Sequence, residues 1–361
     1  MMRPVDTVWV AVKERSHVAL ARQRVVRLAR RQGFSEADLG KLALIASEAA
    51  TNLLVHGGGG EFLAAVVKDH GWPWIHLLVT DQGPGIVALG RALAGGRSTG
   101  EVSSGKSLGE GLGAIQRLSD QFEIFAPPGA GTTIACGLRA SNTSPGASLP
   151  KGDAPGTAED PELAAGEIEV GGVCRPKRGE TQCGDGWAVR RFRHGSALLL
   201  VIDGVGHGPA ADEATQRALD VLAGFRRTEA GHLMAELHSE LAGTRGAAGL
   251  AISVDPVASE LRCCGIGNVS GVAILDGERR GLVSLNGTLG HGEVTLQEFV
   301  YPWPEGSSII VHTDGLSSRW DLTDYPGLRL RHPSLIAGVL YRDHAYDHDD
   351  ATVVAIRRPR T

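Results

Sequence analysis

What the chain lacks narrows the possibilities first. Its five cysteines (Cys136, Cys174, Cys183, Cys263 and Cys264) show no C-x-x-C spacing. Neither a zinc knuckle nor a disulfide framework is therefore expected, and reduced thiols in a cytoplasm are the simplest account. Long apolar runs are missing too: "ALLLVI" is far too short to span a bilayer, and no charged-then-apolar signal opens the chain. The expectation is a cytoplasmic protein with no membrane association. Neither sign of charge dominates. A net charge of -5 gives no electrostatic reason to expect nucleic acid or an anionic surface as partner.

What is present is 361 residues, enough for about two domains with a core each. Composition shifts at 141–166, "SNTSPGASLPKGDAPGTAEDPELAAG", where Ser, Pro, Gly, Asp and Ala dominate and periodicity stops. Such a stretch cannot bury enough apolar surface to offset its ordering entropy, so it reads as a flexible linker between 1–140 and 167–361. In the first part, "SEAD" at 35–38 is a capping-box-like start. Leu39, Leu42, Ile45, Ala46, Ala49 and Leu53 then recur at helical spacing. A second amphipathic helix covers 16–32, and another follows near 109–119. Strands are expected at 61–68, 74–81, 121–126 and 132–138. The second part is richer in strands, with helices near 209–226, 231–243 and 333–343. Both parts read as layered α+β arrangements.

Four features of the first part carry chemistry when taken in order. Glu48 and Asn52 lie four apart and project from one helix face. "VTDQGPGI" sets Asp81 at the end of an apolar strand, followed by Gly83 and Gly85. "GEGLG" places Gly109, Gly111 and Gly113 at a helix start, where backbone N–H groups can approach phosphates. "GAGTT" brings Thr132 into the last strand. The stretch "GEVSSGKS" (100–107) also fits G-x-x-x-x-G-K-[ST]. A phosphate-binding P-loop, however, needs a buried strand before it and a helix at its Lys-Ser. The preceding "VALGRALAGGRST" has no β-branched run, and "LGEGLG" continues rich in glycine.

The ordered set resembles the Bergerat-fold (GHKL) ATPases, in particular the anti-sigma-factor type serine kinases, over about residues 10–140. The resemblance implies an α/β sandwich that binds ATP and Mg²⁺. Asn52 would help hold the Mg²⁺, Glu48 would be the general base for an acceptor serine, and Asp81 would accept from the adenine amino group. The glycines at 83, 85, 109, 111 and 113, with Thr132, would surround the nucleotide. Residues 95–107 would form a lid from which Lys106 can reach a phosphate. The run "HGGGG" (56–60) departs from that pattern and reads as a flexible loop.

In the second part, four acidic positions stand at strand ends. Asp203-Gly204 closes "LLLVIDG", Asp314-Gly315 follows "SSIIVHT", Asp349 and Asp350 precede "ATVVAI", and Asp185 heads "DGWAV". Converging carboxylates without His or Cys at ligand spacing suit hard ions such as Mg²⁺ or Mn²⁺. With "RGAAG" (245–249) and "GIGN" (265–268), the set resembles the PPM-type metal-dependent serine/threonine phosphatases of the SpoIIE-like branch, over about 167–358. That implies a layered β-sandwich flanked by helices, and two Mn²⁺ or Mg²⁺ ions held by Asp185, Asp203, the Gly204 carbonyl, Asp314 and Asp349. Asp349 is preferred to Asp350. His207 is expected to serve the turn structurally rather than to protonate a leaving serine.

Together the resemblances imply a partner-switching regulator that phosphorylates and dephosphorylates small STAS-domain antagonist (anti-anti-sigma) proteins, with a sigma factor as a further candidate partner. Two alternatives stay open: a phosphatase gated by a domain that only senses ATP, and a non-catalytic module that binds a sigma factor.

Overall fold

The computed structural model describes residues 1–69, 71–93, 108–141 and 168–360; side chains of 108–110 are outside that description. All but the first residue of the expected linker, and Lys106 with the lid around it, therefore lie outside the described residues. The chain divides into two compact units, Val5–Asp153 and Met1–Pro4 with Ala154–Thr361. The linear division did not foresee that the first four residues group with the second unit. Met2 exchanges two backbone hydrogen bonds, 2.7 and 2.8 Å, with Val189.

The first unit runs β1 (Arg3–Val12), α1 (Arg15–Arg31), α2 (Glu36–Val55), β2 (Gly60–Asp69), β3 (Trp72–Asp81), α3 (Leu89–Leu93), α4 (Leu108–Leu118), β4 (Gln121–Phe125) and β5 (Thr132–Arg139). Its sheet has the order β1-β2-β3-β5-β4. The Ser35 hydroxyl caps α2 by accepting from the Asp38 amide, so the expected start is real. Asp38 does not complete a reciprocal box, because its carboxylate accepts from the Ser141 amide at 3.0 Å instead. The stripe of Leu42, Ile45, Ala49 and Leu53 is buried against Phe62, Val66, Ile75 and Leu77 of the sheet. Each buried Leu and Ile of the stripe contributes about 1.5–3 kcal/mol.

The second unit holds two antiparallel sheets. One is built from β7 (Asp185–Arg191), β8 (Ala197–Gly204), β9 (Ala247–Asp255) and β10 (Glu260–Ile266), with β13 (Ser284–Leu285) parallel to β10 and β14 (Phe299–Pro302) also paired to it. The other has the order β12-β11-β15-β16-β6, with β6 (Glu169–Arg175), β11 (Ser270–Leu275), β12 (Glu278–Leu282), β15 (Ser308–His312) and β16 (Ala351–Arg357). The sheets meet face to face where the Trp187 ring of β7 rests on Gly172 of β6. Outside them lie α5 (Pro209–Gly224) and α6 (Ala230–Glu240), whose Ala214, Leu219, Leu233 and Leu237 bury Leu198, Leu200 and Ile202. On the other side, α7 (Pro333–His344) packs so closely that Gly171 touches Ser334. The fold class expected from the sequence is the one observed: mixed α+β, with a sandwich flanked by helices in the second unit.

Candidate functional site

In the first unit, strand register brings the separate motifs together. Asp81, the last residue of β3, stands directly opposite Thr132, the first of β5. Its Oδ1 accepts from the Gly83 amide at 2.8 Å and the Thr132 amide at 3.1 Å. A carboxylate fixed by two amides keeps one orientation. The pocket beside it, about 120 Å³, is walled by Leu53, Val79, Ile86, Leu112 and Ile134, with Asn52, His56, Gly85 and Thr132 at its margin. That is well below the roughly 300–1,000 Å³ of whole-ligand sites, so it suits one flat apolar end of a ligand against one carboxylate. Burial lowers the His56 pKa below its ordinary value, against the pull of the Asp81 charge.

Glu48 and Asn52 meet α4 on the neighbouring side. A Cβ on Gly111 would lie 3.1 Å from Glu48 Oε2 and 3.3 Å from Asn52 Oδ1, a tight fit that the absence of a side chain relieves. The buried Asn52 Nδ2 has no hydrogen-bond partner among the described residues. An uncompensated polar atom of this kind fits a site that a polar ligand completes. The helix expected near 109–119 is α4, which begins at Leu108 and contains all three glycines of "GEGLG". The stretch "GEVSSGKS" lies outside the described residues. One expectation needs correction: "HGGGG" is not simply flexible. A Cβ on Gly57 would collide with the Asp81 side chain and one on Gly60 with the Thr80 carbonyl, while Gly58 and Gly59 take φ of 71° and 109°. The run is glycine so that the loop can lie against Asp81.

In the second unit, four strand ends meet at one end of the sandwich. Asp185 and Asp203 face each other across β7 and β8. Asp314 leaves β15 as Asp349 and Asp350 enter β16, and the Thr313 amide donates to the Thr352 carbonyl at 3.1 Å. Asp185 is buried and accepts from the Thr313 hydroxyl at 2.7 Å. Burial and then the Asp203 charge push its carboxyl well above the usual range. Burial, with Asp314, Asp349 and Asp350 adding to it, pushes Asp203 up to about 7. Asp314 is raised as well, by burial first and Asp349 second, although Asn268 Nδ2 donates to its Oδ2 at 2.6 Å. The Gly204 amide donates to the Gly184 carbonyl at 3.0 Å, fixing the turn after Asp203.

The two adjacent aspartates part company. Asp350 is buried and accepts the Lys177 amide at 2.7 Å and the Gly184 amide at 2.9 Å, one on each oxygen. Asp349 is half-buried, and its Oδ1 accepts from the Asp350 amide. Asp350 thus ties two loops together, while Asp349 stays beside Asp314. Among the described residues no three His, Cys, Asp or Glu side chains stand close enough to form a ready-made metal cluster. The carboxylates are neighbours by strand register and by mutual charge, and their oxygen donors and excess negative charge fit hard divalent cations.

His207 pairs with Glu180, Nδ1 to Oε1 3.2 Å, in keeping with a place in the turn. The sequence reasoning gave no role to three residues that the fold adds. Thr313 and Asn268 hold Asp185 and Asp314 respectively. The exposed Arg245 lays its guanidinium on Gly206, with Nη1 2.9 Å from where a Cβ would be, and the Val205 amide bonds to the Gly246 carbonyl. Among the described residues Arg245 makes no ion pair or hydrogen bond. All three sit inside stretches already singled out, "GIGN", "SSIIVHT" and "RGAAG". That position was the available signal.

Comparison with known proteins adds the following. Residues 11–136 match the histidine kinase-like ATPase domain family, and residues 193–359 match stage II sporulation protein E (SpoIIE). The chain is 32% identical over 129 residues to serine/threonine-protein kinase RsbT of Bacillus subtilis (strain 168), covering 36% of this chain and 93% of that one. A solved structure described under "The bacterial stressosome: a modular system that has been adapted to control secondary messenger signaling" covers 53% of this chain and 100% of its own at 26% identity and a TM-score of 0.50. The structure of RsbX in complex with magnesium covers 52% and 94% at 20% identity and a TM-score of 0.45.

Proposed function

Because the chain belongs to the RsbT family of kinase-like ATPases in its first unit and carries a SpoIIE-type phosphatase domain in its second, we propose that it works one phosphorylation site in both directions. The first unit transfers phosphate from ATP to a serine or threonine of a STAS-domain antagonist protein, and the second removes it. The outcome is partner switching that governs a sigma factor. The observation that carries the phosphatase half is the gathering of Asp185, Asp203, Asp314 and Asp349 at one end of a sandwich, where burial and then neighbouring charge raise the pKa values of Asp185, Asp203 and Asp314.

Asp185, Asp203, the Gly204 carbonyl, Asp314 and Asp349 are the residues to hold two Mn²⁺ or Mg²⁺ ions. Such ions supply a hydroxide near neutral pH and offset the charge of a phosphoester. Thr313 and Asn268 keep Asp185 and Asp314 oriented. Arg245, at the rim beside the Asp203 turn, is placed to take the phosphoryl oxygens of the incoming phosphoserine.

In the first unit the apolar pocket with Asp81 receives the adenine end of ATP. Asn52 stands on the Mg²⁺ side, and Glu48, four residues before it on α2, accepts the proton of the acceptor hydroxyl. Gly111 keeps the start of α4 next to both side chains. Radiolabelled ATP with a STAS-domain protein, and separately the phosphorylated form of that protein with Mn²⁺, tests both halves. Label must enter in the first assay and leave in the second. If no label enters but release in the second assay depends on added ATP, the first unit is a sensor; if both assays stay silent, the chain is a binding module.

A further inference from the structure

Two of the five cysteines are placed unlike the rest. Cys136, Cys174, Cys263 and Cys264 are buried, and burial pushes the Cys136, Cys263 and Cys264 thiols up to about 12, 11 and 11. Cys174 and Cys183, nine residues apart, have their sulfurs 3.4 Å from each other, and Cys183 is only half-buried. Neither takes part in the site described above, yet both border it. Cys174 Sγ lies 3.6 Å from the Asp185 carbonyl oxygen, and Cys183 immediately precedes Gly184 and Asp185.

The geometry points to Cys174 and Cys183 as an oxidative modification site, in which a peroxide converts the pair to a disulfide and switches the phosphatase unit off. One thiol attacks the peroxide, the O–O bond breaks, and a sulfenic acid and one water form. The second sulfur then displaces the hydroxyl as another water, making the S–S bond. Two protons and two electrons leave the thiols, and the peroxide ends as two waters.

The consequence for activity follows from distance. A disulfide holds its sulfurs about 2.05 Å apart, so the pair must close by more than an ångström. Cys174 sits within β6, paired to Thr352 of β16, so most of the shift falls on the Cys183 loop. That loop supplies the Gly184 amide to Asp350 and the Gly184 carbonyl to the Gly204 amide, and leads directly into Asp185. A displacement of about 1 Å in groups that orient a reacting centre can cost about 10²-fold in rate.

The test treats the full chain with hydrogen peroxide and maps its peptides without reduction. A peptide pair joined through Cys174 and Cys183, lighter by two hydrogens, is expected before any other cysteine is oxidised. In parallel, Mn²⁺-dependent hydrolysis of p-nitrophenyl phosphate should fall by about 10²-fold and return with dithiothreitol. Cys183→Ser should keep the starting activity and lose the peroxide response, and Cys174→Ala serves if that variant does not fold. Oxidation elsewhere first, absence of the joined peptides, or a cross-link that leaves hydrolysis unchanged would overturn the proposal. The activity arm rests on the phosphatase reading of the second unit. An untreated protein inactive with Mn²⁺ would defeat that reading, while the peptide masses still judge the cross-link.

Discussion

The two sites achieve specificity by opposite physical means. Around Asp81 the chain relies on the absence of side chains: Gly57 and Gly60 let the backbone approach within distances that a Cβ would forbid, and one carboxylate is satisfied by two amides. Around Asp203 it relies on an excess of one charge, with carboxylates held near each other against burial and repulsion. On the proposed reading, the first arrangement takes the flat end of a nucleotide. The second is electrostatically under tension and gains most from a cation. Steric change should therefore damage the first site and charge change the second.

The largest effect expected is at the centre of the charged site. Asp203→Ala should abolish Mn²⁺- or Mg²⁺-dependent phosphatase activity, as should chelation of the wild type, while transfer from ATP by the first unit survives. Near wild-type hydrolysis of a phosphoprotein by the variant would remove the two-metal assignment and with it the contrast between the sites. On the other side, Glu48→Gln should keep ATP affinity by calorimetry and lose at least about 10²-fold in phosphoryl transfer, the scale of a removed general base. Equal loss of binding would mean that Glu48 shapes the nucleotide site instead.

A smaller change sharpens the view that supporting residues matter where charge is crowded. Asn268→Ala removes the amide that donates to Asp314 and should weaken Mn²⁺ affinity by about 10–100-fold, read by metal titration. An unaltered titration would place Asn268 outside the metal shell. The smallest effect concerns stability. His332, the N-cap of α7, accepts from the Ser334 amide, and burial with the nearby Arg357 charge lowers its pKa to about 4. The folded pKa lies below the unfolded 6.5, so this contribution is complete above pH 6.5 and is lost as pH falls towards 4. Compared with His332→Gln, the wild type should lose roughly 1–3 kcal/mol across that window, a shift of several degrees in the melting of the second unit. Parallel pH profiles for the two proteins would show that the imidazole is not the acid-sensitive cap.

Much of the fold was legible because its elements carry strong local signals. The α2 stripe, the Ser35 start and the apolar strands ending in Asp81, Asp203 and Thr313-Asp314 all announce themselves within a dozen residues. β1 did not, since its residues are mostly half-exposed and no continuous apolar run marks it. β6 was hidden by Gly171 and Gly172, which weaken the strand pattern. Those glycines are explained only by Ser334 and the Trp187 ring, far away in sequence.

The candidate site divides in the same way. By itself the sequence determined which residues could act: a carboxylate and an amide one helical turn apart, an aspartate closing a strand before a glycine turn, acidic residues at four strand ends. Those are local facts, set by helix periodicity and strand alternation. Only the tertiary structure decided which of them meet. It turned "HGGGG" from a flexible loop into a close-packed one, gave Asp350 to the Lys177 and Gly184 amides and left Asp349 beside Asp314, set Asn268 and Thr313 on the carboxylates and laid Arg245 on Gly206. It also brought two thiols to 3.4 Å of each other without any motif to announce them. The physical reason is that hydrogen-bond partners, burial and mutual charge depend on which strands pair and in what register, and pairing joins residues that no local pattern links.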